Sequence, residues 1–251
     1  MTDPARFDGL ADDYDRCRPR YPEVVLTRIV EGLGPRPRMV DAGAGTGIVL
    51  EGLLPLLTDP SVHAFDLSAD MVAVGEDKFP HVRWAVGRVE ELLGSVQDID
   101  LVVAGQAYQW FDRPAFLTSA RAALRSGGRL AVVQNNRRHA DSVFLSAYED
   151  LLELRSPGYR RTYRNLDIAE ELAAGFAPEL DAVQVSDCDW VRHMPVGDFV
   201  GMSMSSTQAQ RAVADVGPVF IDEVRALAAR HAEDGVVGVA YRTELVMVHA
   251  P

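Results

Sequence analysis

The chain has 251 residues, 47% of them apolar and 25% charged, with a net charge of −12; these bounds suit one large globular domain, or a core domain with a modest cap. The acidic balance argues against a broad nucleic-acid surface, because phosphate is bound through neutralisation by Lys and Arg, and no run of eighteen apolar residues suggests a membrane span. The start MTDPARFDG has no basic-then-apolar signal layout, so a cytoplasmic location is expected, and Cys17 and Cys188 lack metal-ligand spacing and read as free thiols.

The first half alternates short apolar runs with helical patterns. PRMVDAG (37–43) reads as a buried strand, followed by a helix in GIVLEGLLPLL that Pro55 bends or shortens. SVHAFDL (61–67) is a second strand, after which Ser68 caps a helix through ADMVAVGEDKF that ends at Pro80. VRWAVG (82–87) and DIDLVVAG (98–105) are the third and fourth strands. Pro114 suits the first turn of a helix to Arg125, SGG (126–128) stops it, and RLAVVQNN (129–136) is the fifth strand. The second half is less regular: helical spacing over 142–154 and 168–176, a strand over 181–194, one helix over 199–216 broken by Gly217 and Pro218, a helix over 219–233 and a terminal strand over 236–250.

Strands separated by helices imply parallel βαβ units, and hence an α/β, doubly wound, mostly parallel sheet of seven strands. Ligands in such sheets sit at the strand carboxyl ends, beside the switch in strand order. That places residues 43–47, Asp66, the region 87–90 and the loop 105–112 around one crevice. The single domain 1–251 would carry cap elements from 1–25, 139–177 and 194–213 over the crevice mouth, a covering that fits a small-molecule pocket.

The segment 39–50, MVDAGAGTGIVL, presents backbone amides and a helix start to a ligand. It does not fit the dinucleotide pattern G-x-G-x-x-G, since Ile48 or Leu50 falls where the third glycine belongs. A carboxylate inside the loop would repel pyrophosphate and suit a ligand bearing an amino group. Asp41-Ala-Gly43-Ala-Gly45-Thr-Gly47 resembles the first motif, D-x-G-x-G-x-G, of the class I S-adenosylmethionine-dependent methyltransferases. The resemblance implies a Rossmann-like methyltransferase fold, with S-adenosylmethionine as cofactor. It implies that Asp41 serves the cofactor's amino-acid end, directly or through water, and that the amides of Gly43, Gly45 and Gly47 approach it. Asp66, ending the second strand, would take the ribose, with Leu67 and Met71 beside the adenine. Arg88 stands where many relatives carry an aspartate for the adenine, so a backbone contact from Val89 is expected in its place.

GQAYQWFDRP (105–114) resembles the A-x-H-W-F-D signature of small-molecule methyltransferases similar to the trans-aconitate methyltransferases; Trp110, Phe111 and Asp112 match, and Gln109 replaces the histidine. FDGLADDYDRCRPRYPE (7–23) matches the tyrosine and R-P-x-Y-P opening of that group. The resemblance implies that Tyr14 and Arg18 fold over the cofactor, that Gln106 lies against it, and that Tyr14, Gln109 and Trp110 stand nearest the reaction. Asp112 also suits a helix N-cap. Tyr21, Tyr108, Trp110 and Asn135 are candidates for the acceptor pocket, the aromatic ones equally for core. RSPGYRRTYR (155–164) carries four arginines, and Arg160 and Arg161 could fork onto an acidic acceptor or pair with the acidic surface. His139 and His193 are lone histidines open to either a base role or a bland one.

The expected function is methyl transfer to a small-molecule acceptor, with oxygen of a carboxylate or hydroxyl leading, by a monomer or homodimer that needs no nucleic acid, membrane or metal. A carbon or nitrogen methyltransferase of natural-product biosynthesis, or a protein that binds the cofactor without turnover, remains open.

Overall fold

The computed structural model describes residues 11–164, 166–176 and 182–251, so expectations for residues 1–10, 165 and 177–181 lie outside the described residues. Seven strands, β1 (Arg38–Ala42), β2 (Ser61–Asp66), β3 (Arg83–Val86), β4 (Ile99–Gly105), β5 (Leu124–Arg137), β6 (Gln184–Pro195) and β7 (Val236–His249), form one sheet in the order β3-β2-β1-β4-β5-β7-β6. β7 runs antiparallel to both neighbours, and the other pairs are parallel. The order reverses between β1 and β4, and the segments that leave their carboxyl ends flank a crevice. Asp41 sits centrally, in register with Ala64 on one side and Val103 on the other.

Met39, Val40 and Ala42 are fully buried, as expected of a parallel strand covered on both faces. One face packs α2 (Glu23–Val30) and α3 (Ile48–Leu53) against Met39, Leu101 and Ala131. The other packs α5 (Val89–Leu92), α6 (Arg113–Ala123) and α8 (Ile168–Gly175) against Val40, Val102 and Val132. No element was read from the sequence over 24–36. α2 forms there because Val25, Leu26 and Ile29 share one helical face, and their burial contributes about 1.5–3 kcal/mol each.

Local chemistry sets the element ends. Pro55 closes α3 at Leu53 and turns residues 54–56 into a tighter coil. Ser68 Oγ accepts from the Met71 amide at the start of α4 (Ala69–Lys78), and Asp112 Oδ1 accepts from the Ala115 amide at the start of α6. β5 begins at Leu124, five residues before the expected Arg129, and α6 ends at Ala123. The chain end pulls that segment into the sheet: Gly127 donates to the Ala250 carbonyl and Ala250 to the Gly128 carbonyl. The single helix expected over 199–216 is two, α9 (Val196–Met204) and α10 (Thr207–Val216). Ser205 Oγ returns to the Met202 carbonyl and Ser206 Oγ takes the Ala209 amide, so the two hydroxyls stop one helix and cap the next.

β5, β6 and β7 are long, and their far halves run on past the end of β4, still paired with one another, to meet α7 (Val143–Arg155), α9, α10 and α11 (Val219–Arg230). Phe144, Tyr148, Phe199, Phe220, Val239 and Tyr241 form the centre of this second core. Against it lies α1 (Ala11–Cys17), through contact with α9.

Candidate active site

Gly43 and Gly45 have left-handed backbones, with φ of 68° and 55°. A Cβ on Gly43 would stand 2.5 Å from Ala107 Cβ, whereas one on Gly45 would meet nothing nearer than the Tyr14 ring at 3.9 Å. Gly45 therefore leaves open space where a ligand can touch backbone. Gly47 does not: a Cβ there would meet the Phe79 ring at 2.8 Å, and it borders neither cavity described below. The expected contact of Gly47 with the cofactor is corrected to a turning and packing role, at the N-cap of α3 with φ 82°.

Two carboxylates underlie this loop. Asp66 accepts from the Gly45 amide at 2.8 Å through one oxygen and from the Ser68 amide at 2.9 Å through the other. Burial raises its pKa, against the pull of those backbone amides. Asp41 is wholly buried, and neither oxygen has a hydrogen-bond partner among the described residues. Burial first, and then the charge of Asp66, push it up to about 8. Asp41 borders neither cavity; it lies under the loop rather than in the wall, so the reach to a cofactor expected of it is through the loop. An orphaned acid under a bare turn fits a cationic ligand above it.

A cavity of about 110 Å³ lies against Asp66, Leu67, Met71, Arg88 and Val89. Arg88 remains loosely paired, with Glu90 at 3.6 Å and Glu91 at 3.7 Å. A larger cavity of about 460 Å³ opens on the other side of the loop. The two share six residues: Tyr14, Gly43, Gly45, Gly105, Gln106 and Trp110. Gln106 holds its place at φ 57° with Nε2 donating to the Asn135 carbonyl, while its Oε1 is buried without a partner.

Tyr14 reaches this junction because α1 is tied down from below. Thr46 Oγ1 donates to Asp15 at 2.7 Å, Lys78 bridges Asp15 and Glu51, and Arg20 Nε donates to Glu51 at 2.7 Å. Burial opposes the Asp15 charge, yet Lys78 and Thr46 hold its pKa below the ordinary value. The Arg18 guanidinium lies 4.7 Å from the Tyr14 ring centre and donates to the Ser205 carbonyl at 3.0 Å. Asp15, Thr46, Glu51 and Lys78 were missed in the sequence, where they read as ordinary polar positions.

In the larger cavity Tyr21, Gln109, Trp110 and Asn135 line the near wall. Gln109 is spent on buttressing: Nε2 donates to the Gln106 carbonyl and Oε1 accepts from Gln134. Asn135 is held between the Arg20 carbonyl and the Thr243 hydroxyl. Tyr108 is a correction. It is wholly buried among Phe111 and Phe116, with Oη donating to Glu171 at 2.8 Å, and lines no cavity. Burial and Glu171 both raise its pKa.

The far wall holds Arg137, whose Nε and Nη2 donate to Glu149 Oε1 at 3.0 and 2.8 Å, while Tyr159 Oη donates to Glu149 Oε2 at 2.6 Å. Burial disfavours both charges, and each overrides it for the other, raising Arg137 and lowering Glu149. Neither residue was singled out in the sequence. A signal existed for Glu149, which falls on the apolar stripe Leu145, Tyr148, Leu152 of α7. Arg160 is exposed and lines no cavity, and Arg161 reaches the rim but is bound by Glu153 and Asp150. The acceptor role expected of that pair is corrected: the surface acids of α7 neutralise Arg161, and Arg160 faces solvent. Of the two histidines His139 lines the larger cavity and His193 is exposed.

A switch-point crevice with a glycine loop, an acid at the end of β2 and an adjoining larger cavity is the place where an α/β sheet of this kind takes a ligand. Residues 39–128 match the family described as methyltransferase domain. An uncharacterized methyltransferase of Mycobacterium tuberculosis is 25% identical over 225 residues, 90% of this chain and 86% of that protein. A malonyl-[acyl-carrier protein] O-methyltransferase of Hahella chejuensis is 35% identical over 95 residues, 37% of this chain and 34% of that one. The solved structure of a type II methyltransferase from Anaeromyxobacter dehalogenans superposes with a TM-score of 0.69 at 22% identity, covering 93% of this chain and 99% of its own. Over residues 39–128 the chain is similar to the class I S-adenosylmethionine-dependent methyltransferases, and its fold agrees with theirs. These matches do not extend to the trans-aconitate-like group in particular.

Proposed function

We propose that the enzyme methylates a carboxylate oxygen of a small, acidic acceptor lodged in the 460 Å³ cavity. The observation that carries this reading is the makeup of the junction between the cavities. Its six residues include no Asp, Glu, His or Lys among those described, and one phenol, Tyr14; His139, Asp141, Glu149 and Glu244 lie elsewhere in the wall of the larger cavity. A hydroxyl, phenol or ammonium acceptor must lose a proton to react, and a general base must stand within hydrogen-bond reach of it. A carboxylate arrives already ionised and needs alignment alone.

S-adenosylmethionine, when bound, supplies a methyl group activated by positive sulfur. The residues of this chain that would hold it are the bare loop backbone at Gly43 and Gly45, which lines both cavities, Asp66 toward the ribose, and Leu67, Met71 and the Val89 backbone toward the adenine. Arg88 borders that end, and Asp41 serves the amino-acid end through the loop. Tyr14 and Trp110 turn aromatic surface toward the junction, where a ring face favours a cation. Gln106 is fixed by its own bond to Asn135 and by Gln109 behind it. Arg18 ties α1 to the α9–α10 corner. Arg137, its Nε and Nη2 held by Glu149, lines the far end of the acceptor's cavity. The O-methyltransferase name of the Hahella relative agrees with an oxygen acceptor.

The test is methyl transfer from labelled cofactor to a panel of mono- and dicarboxylic acids, followed by mild alkali. A methyl ester releases its label as methanol. Label that survives the treatment would mean an ether, amine or carbon product and would overturn the reading.

A further inference from the structure

A third cavity, about 450 Å³, lies on the surface between the α1–α2 turn and β6, outside the site described so far. Its seven lining residues are Arg16, Arg18, Arg20, Tyr21, Pro22, Trp190 and Arg192. Among the described residues four arginines and no acid line one cleft, in a chain whose net charge is −12. Many arginines are neutralised by carboxylates, as Arg20 is by Glu51. Arg18 and Arg192 are not: among the described residues each is held by a backbone carbonyl, Ser205 for Arg18 and Cys17 for Arg192 at 2.7 Å. A carbonyl fixes a guanidinium without cancelling its charge, so both present preset, uncompensated cations. The Nε of Arg18 is moreover buried without a partner, a donor still to be satisfied.

We propose that this cleft is an oxyanion site that takes a phosphate or diphosphate group. A single carboxylate would leave much of its charge and volume unused. Arg18 and Tyr21 wall both this cleft and the larger cavity. Trp190 on the cleft side is stacked on Tyr241 on the cavity side, 4.8 Å between ring centres. The oxyanion thus sits one side chain away from the acceptor, and Arg18, stacked on Tyr14 at the junction, links its occupancy to the cofactor. Two sources share this chemistry: a free phosphate, or the phosphate end of the acceptor itself. The second source rests on the function proposed above; the site does not.

The experiment is a ³¹P NMR titration of the full chain with inorganic pyrophosphate, comparing wild type with Arg192→Gln and Arg192→Lys. Arg192→Gln should weaken binding about tenfold, the size of one charge-assisted contact, and Arg192→Lys should recover part of it. Calorimetry with S-adenosylhomocysteine serves as the folding control and should be the same for all three, since Arg192 lies outside the cofactor cavity. Pyrophosphate binding equal in wild type and Arg192→Gln, or undetectable in wild type, would overturn the proposal. Repeating the titration with octyl phosphate against inorganic phosphate separates the sources. An acceptor tail gains affinity from its chain, and a free phosphate ligand does not. Pyrophosphate binding is read without turnover, so an acceptor other than a carboxylate would leave this result standing.

Discussion

Asp41→Asn changes a single proton site and leaves its shape intact. In the unliganded protein Asp41 is pushed up to about 8 from 3.8, by burial and then by the charge of Asp66. At pH 7 it is therefore protonated by about ten to one. The amino-acid end of S-adenosylmethionine carries an ammonium group, and a positive charge above the loop favours the ionised acid. Binding at pH 7 should then expel about 0.9 of a proton. Affinity should rise about 50-fold from pH 6 to pH 8, as the ionised fraction of the free enzyme goes from about 1% to a half. Calorimetry with S-adenosylhomocysteine in buffers of different ionisation heat measures the proton directly. In Asp41→Asn the proton release should vanish and the pH profile flatten. The same shift makes a statement about stability. Between about pH 4 and pH 8 the folded state holds a proton that the unfolded state has lost, so unfolding free energy falls as pH rises, by up to about 1.4 kcal/mol per unit. Asparagine removes that slope. Proton release near zero in wild type, or an unchanged pH profile in the variant, would refute the reasoning.

Gly43→Ala should weaken cofactor binding and lower Tm, because φ of 68° costs an L-residue about 1–2 kcal/mol and the new Cβ would overlap Ala107; equal dissociation constants would count against the loop as a cradle. Tyr14→Leu should weaken S-adenosylmethionine by about 0.5–2 kcal/mol more than the uncharged-sulfur product, read by calorimetry with both; equal losses would take the sulfonium away from that ring. Arg137→Ala should cost about 3 kcal/mol or more of stability by leaving Glu149 charged and unpaired, seen as a lower midpoint in urea, with Arg137→Ala and Glu149→Leu together recovering part of it. Arg161→Ala should leave acceptor KM unchanged, since Glu153 and Asp150 already hold that guanidinium; a several-fold rise would return it to the acceptor's contacts.

What could be read from the sequence was what local chemistry decides. The first five strands follow from apolar runs between turn signals, and Ser68, Asp112 and Pro55 set helix ends as their chemistry requires. The glycine loop and Asp66 were legible because backbone access and strand ends fall at fixed spacing. The split of α9 from α10 was not, since two adjacent serines are unremarkable until their hydroxyls choose backbone partners. Tyr108 and Trp110, two residues apart in one turn, part company for a reason that spacing cannot carry. Glu171 arrives from α8 to bind the Tyr108 hydroxyl and leaves Trp110 to the cavities. The acceptor wall is the same problem enlarged. Arg137 on β5, Glu149 and Tyr159 around α7, and Tyr241 on β7 meet only through tertiary packing. An arginine-rich stretch, 155–164, drew attention instead; within it Arg161 pairs with Asp150 and Glu153 of α7, and Arg155 with Glu223 of α11.

This division follows from how the sheet is built. Residues 39–128 contain β1 to β4 with the loops that line the smaller cavity, and it is this part that matches the family model. The 35% identity to the Hahella enzyme is likewise confined to 95 residues. The larger cavity draws its far wall from the extended halves of β5 and β7 and from helices packed on them, joined to the first part through the sheet and through α1. Such an arrangement lets the acceptor side change by altering strand tips and cap helices, with the loop that holds the nucleoside left in place. Arg137 is the last residue of β5, in register with Tyr241 of β7, and its guanidinium is held by Glu149 of the cap. The residues proposed for the acceptor are brought together by the cap's packing on β5 and β7, and those proposed for the cofactor gather at the switch point, which is why the first resist reading from a sequence that states the second so directly.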